Sequence, residues 1–269
     1  MKKISVLGPK GTYSDIACKK YLAINNMNDY EIAYYKTILQ TCIAKDDLRL
    51  VPFENTLDGF VMESLDTIIN NNYHIIDEIK LPIDFSFVTN EKSIDDVKEV
   101  YVQFKAKGQC INFLNNFNTI NTESNGQSLE LIRNNKQKGF GAIVIPDEIG
   151  ENEFKLKIDH VTDIKNNETR FVILTNDDVK RIDNNFLASI VVTSLVDRPG
   201  ILYDILTVFH DLNINMNSIL SRPLKTSMGQ YKFYIECSFK DNGYVLLNDL
   251  LNKLRLNFKV DLIGTYKGC

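Results

Sequence analysis

The sequence predicts an α/β fold over residues 1–180 and a smaller α+β domain over residues 186–269. Three observations carry this expectation. Residues 1–180 alternate short β-rich runs with amphipathic helical runs, the pattern of strands and helices layered together. Residues 186–269 hold four extended and two helical runs in β-α-β-β-α-β order, the ferredoxin-like split unit, in a length sufficient for a small domain. Between them NDDVKRIDNN (176–185) is polar and reads as a linker.

In the first part, KKISVLG is a strand leading through GPKGTYS into a helix, IACKKYLAI. LRLVPF is a strand leading through ENTLDG into a second helix, FVMESLDTII. EVYVQF, FNTIN and GFGAIVI are further strands, separated by the helical runs KGQCINFLNN and GQSLELIRN, and KIDHVTDI and TRFVIL close this part.

In the second part, NFLASIVVTSL (185–195) is β-rich and stops at DRPG, where Pro199 suits a first helical turn. Ile201, Leu202, Ile205, Leu206, Phe209 and Leu212 then follow at helical spacing. INMNSILSRP (214–223) is extended, TSMG (226–229) makes a turn, and YKFYIECSF (231–239) alternates in and out. Asp241 and Asn242 are N-cap candidates for a helix through LLNDLLNKL, and FKVDLIGTYK (258–267) is the last strand.

Composition narrows the function. With 44% hydrophobic and 25% charged residues the chain has enough apolar surface for cores. A net charge of −4 with scattered basic residues excludes the basic stripe of a nucleic-acid-binding protein. Cys18, Cys42, Cys110, Cys237 and Cys269 are odd in number and lack metal-ligand spacing, so neither a zinc site nor a disulfide framework is expected. His74, His160 and His210 are far apart, and no metal is expected. The apolar run after Met1 is too short for a signal segment or a membrane span, which points to a cytoplasmic protein.

Three polar turns are the candidates for chemistry. GPKGTYSD joins a strand end to a helix start, where unpaired N–H groups attract carboxylates and phosphates. Gly8 and Gly11 let the backbone turn there, and Thr12 and Ser14 either cap the helix or bind a ligand. ENTLDG repeats the arrangement: Glu54 and Asp58 are either an acid/base pair or ordinary complements of a helix dipole, and Asn55 and Thr56 suit a ligand carboxylate. In NNETRF, strand alternation puts Thr169 and Phe171 on one face and Arg170 on the other.

GPKGTYSD (8–15), VPFENTLDGFV (51–61) and NNETRFVIL (166–174), followed by DRPGIL and ILSRP, stand in the order and spacing of a monofunctional prephenate dehydratase, which the chain resembles over essentially its whole length. The resemblance implies a bilobal, periplasmic-binding-protein-like catalytic domain (1–180) with a cleft, followed by an ACT regulatory domain (186–269). It implies loss of water and CO2 from prephenate to give phenylpyruvate, in L-phenylalanine biosynthesis and without a cofactor. L-Phenylalanine is the implied allosteric effector, and a homodimer or homotetramer the implied assembly, with no nucleic-acid or membrane partner. Arogenate dehydratase, which runs the same chemistry on the aminated substrate, and an amino-acid sensor without catalysis are the alternatives. A solute-binding protein shares the bilobal cleft.

By the resemblance Thr169 is catalytic, and Gly11, Thr12, Ser14, Asn55, Thr56, Arg170 and Phe171 bind substrate. Ser124, Asn125 and Gly126 stand where the family has an S-T-A binding turn. The family's S-H-P-Q-A-x-x-Q-C reads VQFKAKGQC (102–110) here, without the histidine, and E-N-S reads Glu54-Asn55-Thr56, which keeps the hydroxyl. The effector site falls at Pro199, Gly200, Ile201, Leu202, Asn215, Leu220, Ser221 and Arg222; E-S-R-P has lost its glutamate to Leu220, and G-A-L reads Gly200-Ile201-Leu202. Prephenate carries its own leaving hydroxyl and an electron-supplying carboxylate, so the enzyme has only to orient, desolvate and assist departure. A threonine hydroxyl is a poor general acid near neutral pH, so Thr169 is expected to hydrogen-bond the departing hydroxyl or relay a proton to it.

Overall fold

The computed structural model describes residues 2–178, 185–194, 196, 198–224, 231–240 and 243–268. Most of the expected linker at 176–185, the TSMG turn, the Asp241 and Asn242 caps and Cys269 lie outside the described residues. In chain order the first elements are β1 (Lys2–Leu7), α1 (Tyr13–Ile24), β2 (Tyr30–Tyr35), α2 (Ile38–Ile43), β3 (Leu48–Asn55), β4 (Gly59–Phe60), α3 (Met62–Asn70), β5 (His74–Pro82) and β6 (Ser86–Thr89). Next come β7 (Glu99–Gln103), α4 (Phe104–Gln109), α5 (Ile111–Leu114), β8 (Asn118–Thr122), α6 (Asn125–Asn134), β9 (Phe140–Val144), β10 (Leu156–Ile158) and β11 (Glu168–Thr175). The last are β12 (Phe186–Thr193), α7 (Ile201–Asp211), β13 (Met216–Pro223), β14 (Tyr231–Phe239), α8 (Gly243–Arg255) and β15 (Lys259–Tyr266).

The chain forms two compact units, Met1–Met62 with Lys80–Phe171, and Glu63–Ile79 with Val172–Cys269. The first holds two sheets. In one, β1 lies between β2 and β3, parallel to both, and β4 folds back antiparallel on β3. In the other the order is β10-β6-β9-β7-β8, with β7 parallel to β8 and β9. Val100, Val102 and Ile143 face one core with Phe87, and Ala142 and Val144 face another with Leu129 and Ile132 of α6. Strand alternation sorts these side chains to the two faces.

Local geometry departs from the sequence expectation in three places. The second helix starts at Met62, because Gly59, at φ +72°, turns the chain so that Gly59 and Phe60 pair with Asn55 and Glu54. Phe60 then packs edge-on against Phe53. The run KGQCINFLNN breaks into two short helices at Cys110, whose ψ of 33° is not helical. Of KIDHVTDI only Lys157 and Ile158 are strand, the end of β10; His160, at φ +59°, turns the chain just beyond.

In the second unit β12, α7, β13, β14, α8 and β15 form the expected β-α-β-β-α-β domain, in sheet order β13-β14-β12-β15 with every pairing antiparallel. Ile205 and Phe209 of α7 and Leu247, Leu250 and Leu254 of α8 pack with Ile190, Val192 and Ile235 in one core. On the other face Ser189 Oγ lies 2.9 Å from the hydroxyls of both Tyr234 and Tyr266, which donate to Glu236 Oε2 at 3.1 and 2.6 Å. All four residues are buried.

Residues 63–79, inside the part expected to form the first domain, pack with this C-terminal sheet. Arg222 holds Asp66 of α3 by two parallel bonds, Nε to Oδ1 at 2.9 Å and Nη2 to Oδ2 at 2.6 Å. Lys232 Nζ donates to Asn70 Oδ1 at 2.8 Å. β5 runs parallel to β15 where Ile75 meets Gly264, at a place where a Cβ on residue 264 would lie 2.5 Å from the Ile75 carbonyl oxygen. No helix among the described residues is long and apolar enough to cross a membrane.

Candidate active site

The first unit contains a cavity of about 450 Å3 onto which the three polar turns converge. Thr12 and Ser14 reach it from the start of α1, Asn55 and Asp58 from the turn after β3, Ser124 and Asn125 from the start of α6, and Thr169 and Phe171 from β11. A larger cavity of about 650 Å3 in the same unit, walled by Tyr13, Lys20, Asp84 and His160, takes in none of the expected site residues.

Thr12 is the N-cap of α1: its hydroxyl accepts from the Asp15 N–H and donates to the Pro9 carbonyl at 3.0 Å. Gly11, at φ +79°, gives its N–H to Asp15 Oδ2 at 2.8 Å and stays off the cavity wall. Asp15 also accepts from the Tyr34 hydroxyl and pairs with Lys19. Burial opposes its ionisation, but the Gly11 N–H, Lys19 and Tyr34 outweigh it and hold the carboxyl below the usual carboxylate range. The helix's own aspartate therefore occupies the Gly11 N–H. Gly126, also off the wall, meets this loop: a Cβ there would sit 3.0 Å from the Lys10 carbonyl oxygen.

Asn55 is the hub of the site. Its amide nitrogen donates to Asn167 Oδ1 at 2.8 Å, Thr169 Oγ1 at 2.9 Å and the Glu168 carbonyl at 3.1 Å. Its carbonyl oxygen accepts from the backbone N–H of Leu57 and Asp58 and so fixes the turn. Asn167, almost fully buried, passes the chain on to Gln109 Oε1 at 3.1 Å. Thr56, expected to touch substrate, instead clamps the Glu168 backbone, accepting from its N–H and donating to its carbonyl, and is not on the wall.

Arg170 points away from the cavity, as strand alternation requires. Its guanidinium pairs with Glu54 at 3.2 Å and lies over the rings of Phe53 and Phe60. This corrects two expectations at once. Arg170 does not line the cavity, and Glu54 is in β3, engaged with arginine, rather than at a helix start as half of an acid/base pair. At the start of α6, Ser124 caps the helix, and Asn125 Oδ1 is buried without a partner among the described residues.

Sequence reasoning missed Gln103, Lys105, Gln109 and Glu123 on the cavity wall and Asn167 behind it. VQFKAKGQC held the first three, but without its histidine it offered no residue to single out. In the second unit Gly200, Ile201 and Leu202 line a pocket of about 250 Å3 together with Ser194, Arg198 and Phe233. Pro199, Asn215, Leu220 and Ser221 do not line it, and Arg222 is committed to Asp66. Cys18, Cys42, Cys110 and Cys237 are buried thiols, and burial pushes those of Cys18, Cys110 and Cys237 up to about 12.

Two sheets flanking a cavity lined by hydroxyls and amides, followed by a β-α-β-β-α-β domain, define a two-lobed α/β ligand-binding protein with a C-terminal ACT-type domain. The prephenate dehydratase family model matches residues 4–179 and the ACT domain model residues 189–253, and the chain belongs to the prephenate dehydratase family. It is 31% identical over 264 residues to the prephenate dehydratase of Methanocaldococcus jannaschii, covering 96% of this chain and 95% of that one. Among solved structures it is similar to the prephenate dehydratase of Staphylococcus aureus, at 29% identity and a TM-score of 0.82 over 99% of this chain and 100% of that one. It shares the fold of the Arthrobacter aurescens prephenate dehydratase solved in complex with L-Phe, at 22% identity and a TM-score of 0.82 over 99% and 90% of the two chains.

Proposed function

We propose that the chain is a prephenate dehydratase, a decarboxylating carbon–oxygen lyase that converts prephenate into phenylpyruvate, water and CO2 in L-phenylalanine biosynthesis. The observation that carries this is the bond from the Asn55 amide to Thr169 Oγ1. With a donor already on its oxygen, the Thr169 hydroxyl has its proton left to give, and Thr169 lines the cavity. The ring carboxylate leaves as CO2, its electron pair enters the ring, and the ring expels the hydroxyl opposite. Thr169 donates to that oxygen as negative charge develops on it, and the departing hydroxide becomes water by taking a proton from solvent. Phe60, Phe85 and Phe171 wall the cavity with apolar surface that desolvates the carboxylate being lost.

The Ser14 and Ser124 hydroxyls and the Asn125 amide nitrogen are the donors offered to the substrate carboxylates. Thr12, whose proton goes to the Pro9 carbonyl, holds the start of α1 beside them, and the partnerless Asn125 Oδ1 accepts from a ligand hydroxyl. Gly11, Thr56, Gly126 and Arg170 act through the frame: two loops in close approach, a clamp on Glu168, and a buried cation that fixes Glu54. The catalytic part spans residues 1–180 and the regulatory ACT domain residues 186–269. The pocket at Gly200, Ile201 and Leu202 takes L-phenylalanine as feedback inhibitor. The exposed Ile219 on β13, an end strand of its sheet, supports assembly as a homodimer or homotetramer. Buried cysteines kept as thiols suit the cytoplasm.

The test is to mix purified protein with prephenate, and in parallel with arogenate, and follow the aromatic product with and without L-phenylalanine. Phenylpyruvate formed and suppressed by phenylalanine is the expected outcome. No turnover of either substrate rejects catalysis, and turnover without suppression rejects the effector assignment alone.

A further inference from the structure

We propose that Lys105 is a specificity-determining residue of this cavity, the cation that receives one carboxylate of the dianionic substrate; this rests on the reading of the cavity as a prephenate site. Among the described residues lining the cavity Lys105 is the one lysine or arginine, and it faces two acids there, Asp58 and Glu123. The remaining polar groups on the wall are neutral hydroxyls and amides. A dianion entering such a cavity in a chain of net charge −4 meets repulsion from both acids unless a cation offsets it.

The setting of Lys105 suits that role. Its backbone is fixed: Gln103 Oε1 caps α4 by accepting from the N–H groups of Lys105 and Ala106, and Ala106 and Cys110 are fully buried beneath. Its side chain is exposed, and no described residue holds its ammonium. Lys107, two residues further along α4, is committed elsewhere, to Thr119 at 2.7 Å. Lys105 also stands one helical turn before Gln109, so the two share a face of α4, with Cβ atoms roughly 5–6 Å apart. Gln109 is the end of the chain that runs through Asn167 and Asn55 to Thr169. A carboxylate bound by Lys105 therefore lies on the side of the cavity that carries the catalytic hydroxyl. A lysine ammonium on a flexible stem follows the carboxylate as a point charge rather than by a fixed fork.

The experiment compares Lys105→Gln, Lys105→Arg and Lys107→Gln with the wild-type protein on prephenate at two salt concentrations. Lys105→Gln raises KM on the order of tenfold, the worth of one charge-assisted bond, and leaves kcat within a few-fold. It also flattens the fall of kcat/KM with added salt, because the screened attraction has gone. Lys105→Arg restores most of KM, and Lys107→Gln, which removes the same charge outside the cavity, leaves KM and the salt dependence as in the wild type. Wild-type KM and salt dependence in Lys105→Gln overturns the assignment while the cavity reading stands. A wild-type protein that consumes no prephenate removes the substrate and the assignment with it.

Discussion

Asn55 and Thr169, 114 positions apart in the chain, meet with the amide nitrogen 2.9 Å from the hydroxyl oxygen. The direction of this bond decides what Thr169 does. Nitrogen donates, so the threonine oxygen is an acceptor toward Asn55 and its hydrogen is directed elsewhere. On the proposed mechanism, removing the hydroxyl takes away the donor to the departing oxygen and leaves the fold in place. Thr169→Ala is expected to lower kcat by about 100-fold or more with little change in the unfolding midpoint, and Thr169→Ser to keep much of the activity. Steady-state kinetics on prephenate with a parallel denaturation curve checks both.

Asn167 holds Asn55 from behind, accepting from its amide at 2.8 Å and donating to Gln109 at 3.1 Å. Asn167→Asp replaces the donor facing Gln109 Oε1 with an acceptor and buries a charge. It is expected to cost about 1–3 kcal/mol of stability and to lower kcat more than it changes KM, because Asn55 loses its fixed orientation. Urea unfolding gives the first quantity and kinetics the second; an unchanged kcat would show that Asn55 is held well enough by the turn it caps.

The bidentate pair of Arg222 and Asp66 is partly buried, with side-chain exposures of 22% and 18%. Asp66→Ala leaves the guanidinium with two unmet donors and is expected to destabilise the protein by about 1–3 kcal/mol. A double-mutant cycle with Arg222→Ala isolates the coupling, expected to be well above that of an exposed pair such as Lys2 with Asp29.

Asp15 titrates below the ordinary carboxylate range in the folded chain: burial works against its charge, and Gly11, Lys19 and Tyr34 together outweigh it. A depressed folded pKa means stability that is fully present above the unfolded pKa and lost as pH falls through the folded one. Stability is therefore expected to decline below about pH 4. Asp15→Asn, measured by thermal unfolding against pH, should be less stable at neutral pH and should show a shallower acid limb.

What the sequence could disclose depended on range. The β-α-β-β-α-β domain was legible because helical spacing in Ile201 to Leu212 and alternation in β14 are local patterns tied directly to burial. Thr12, Ser14, Asn55, Thr169 and Phe171 were legible as candidates because each stands in or beside one of three polar turns, Ser124 and Asn125 only through the family's S-T-A turn, and the fold brings all seven to one cavity. Asn167 and Gln109 were not, since an amide gains its role only from partners 112 and 58 positions away. Helix α3 followed the same rule. Its sequence reads as an ordinary amphipathic helix after ENTLDG, and only Arg222, 156 positions distant, shows which core it belongs to.

That membership of α3 bears on how such proteins can be recombined. Residues 63–79 sit in the chain between two segments of the cavity wall, yet Asp66, Asn70 and Ile75 take their partners from Arg222, Lys232 and Gly264. A cut at the polar stretch after Thr175 would strip those partners from an internal stretch of the piece it was meant to free. A regulatory domain borrowed from a relative would have to bring its own counterpart of α3 and β5, or meet an aspartate, an asparagine and a strand edge fitted to someone else. The interchangeable part is discontinuous in sequence, and grafting at a single junction divides it.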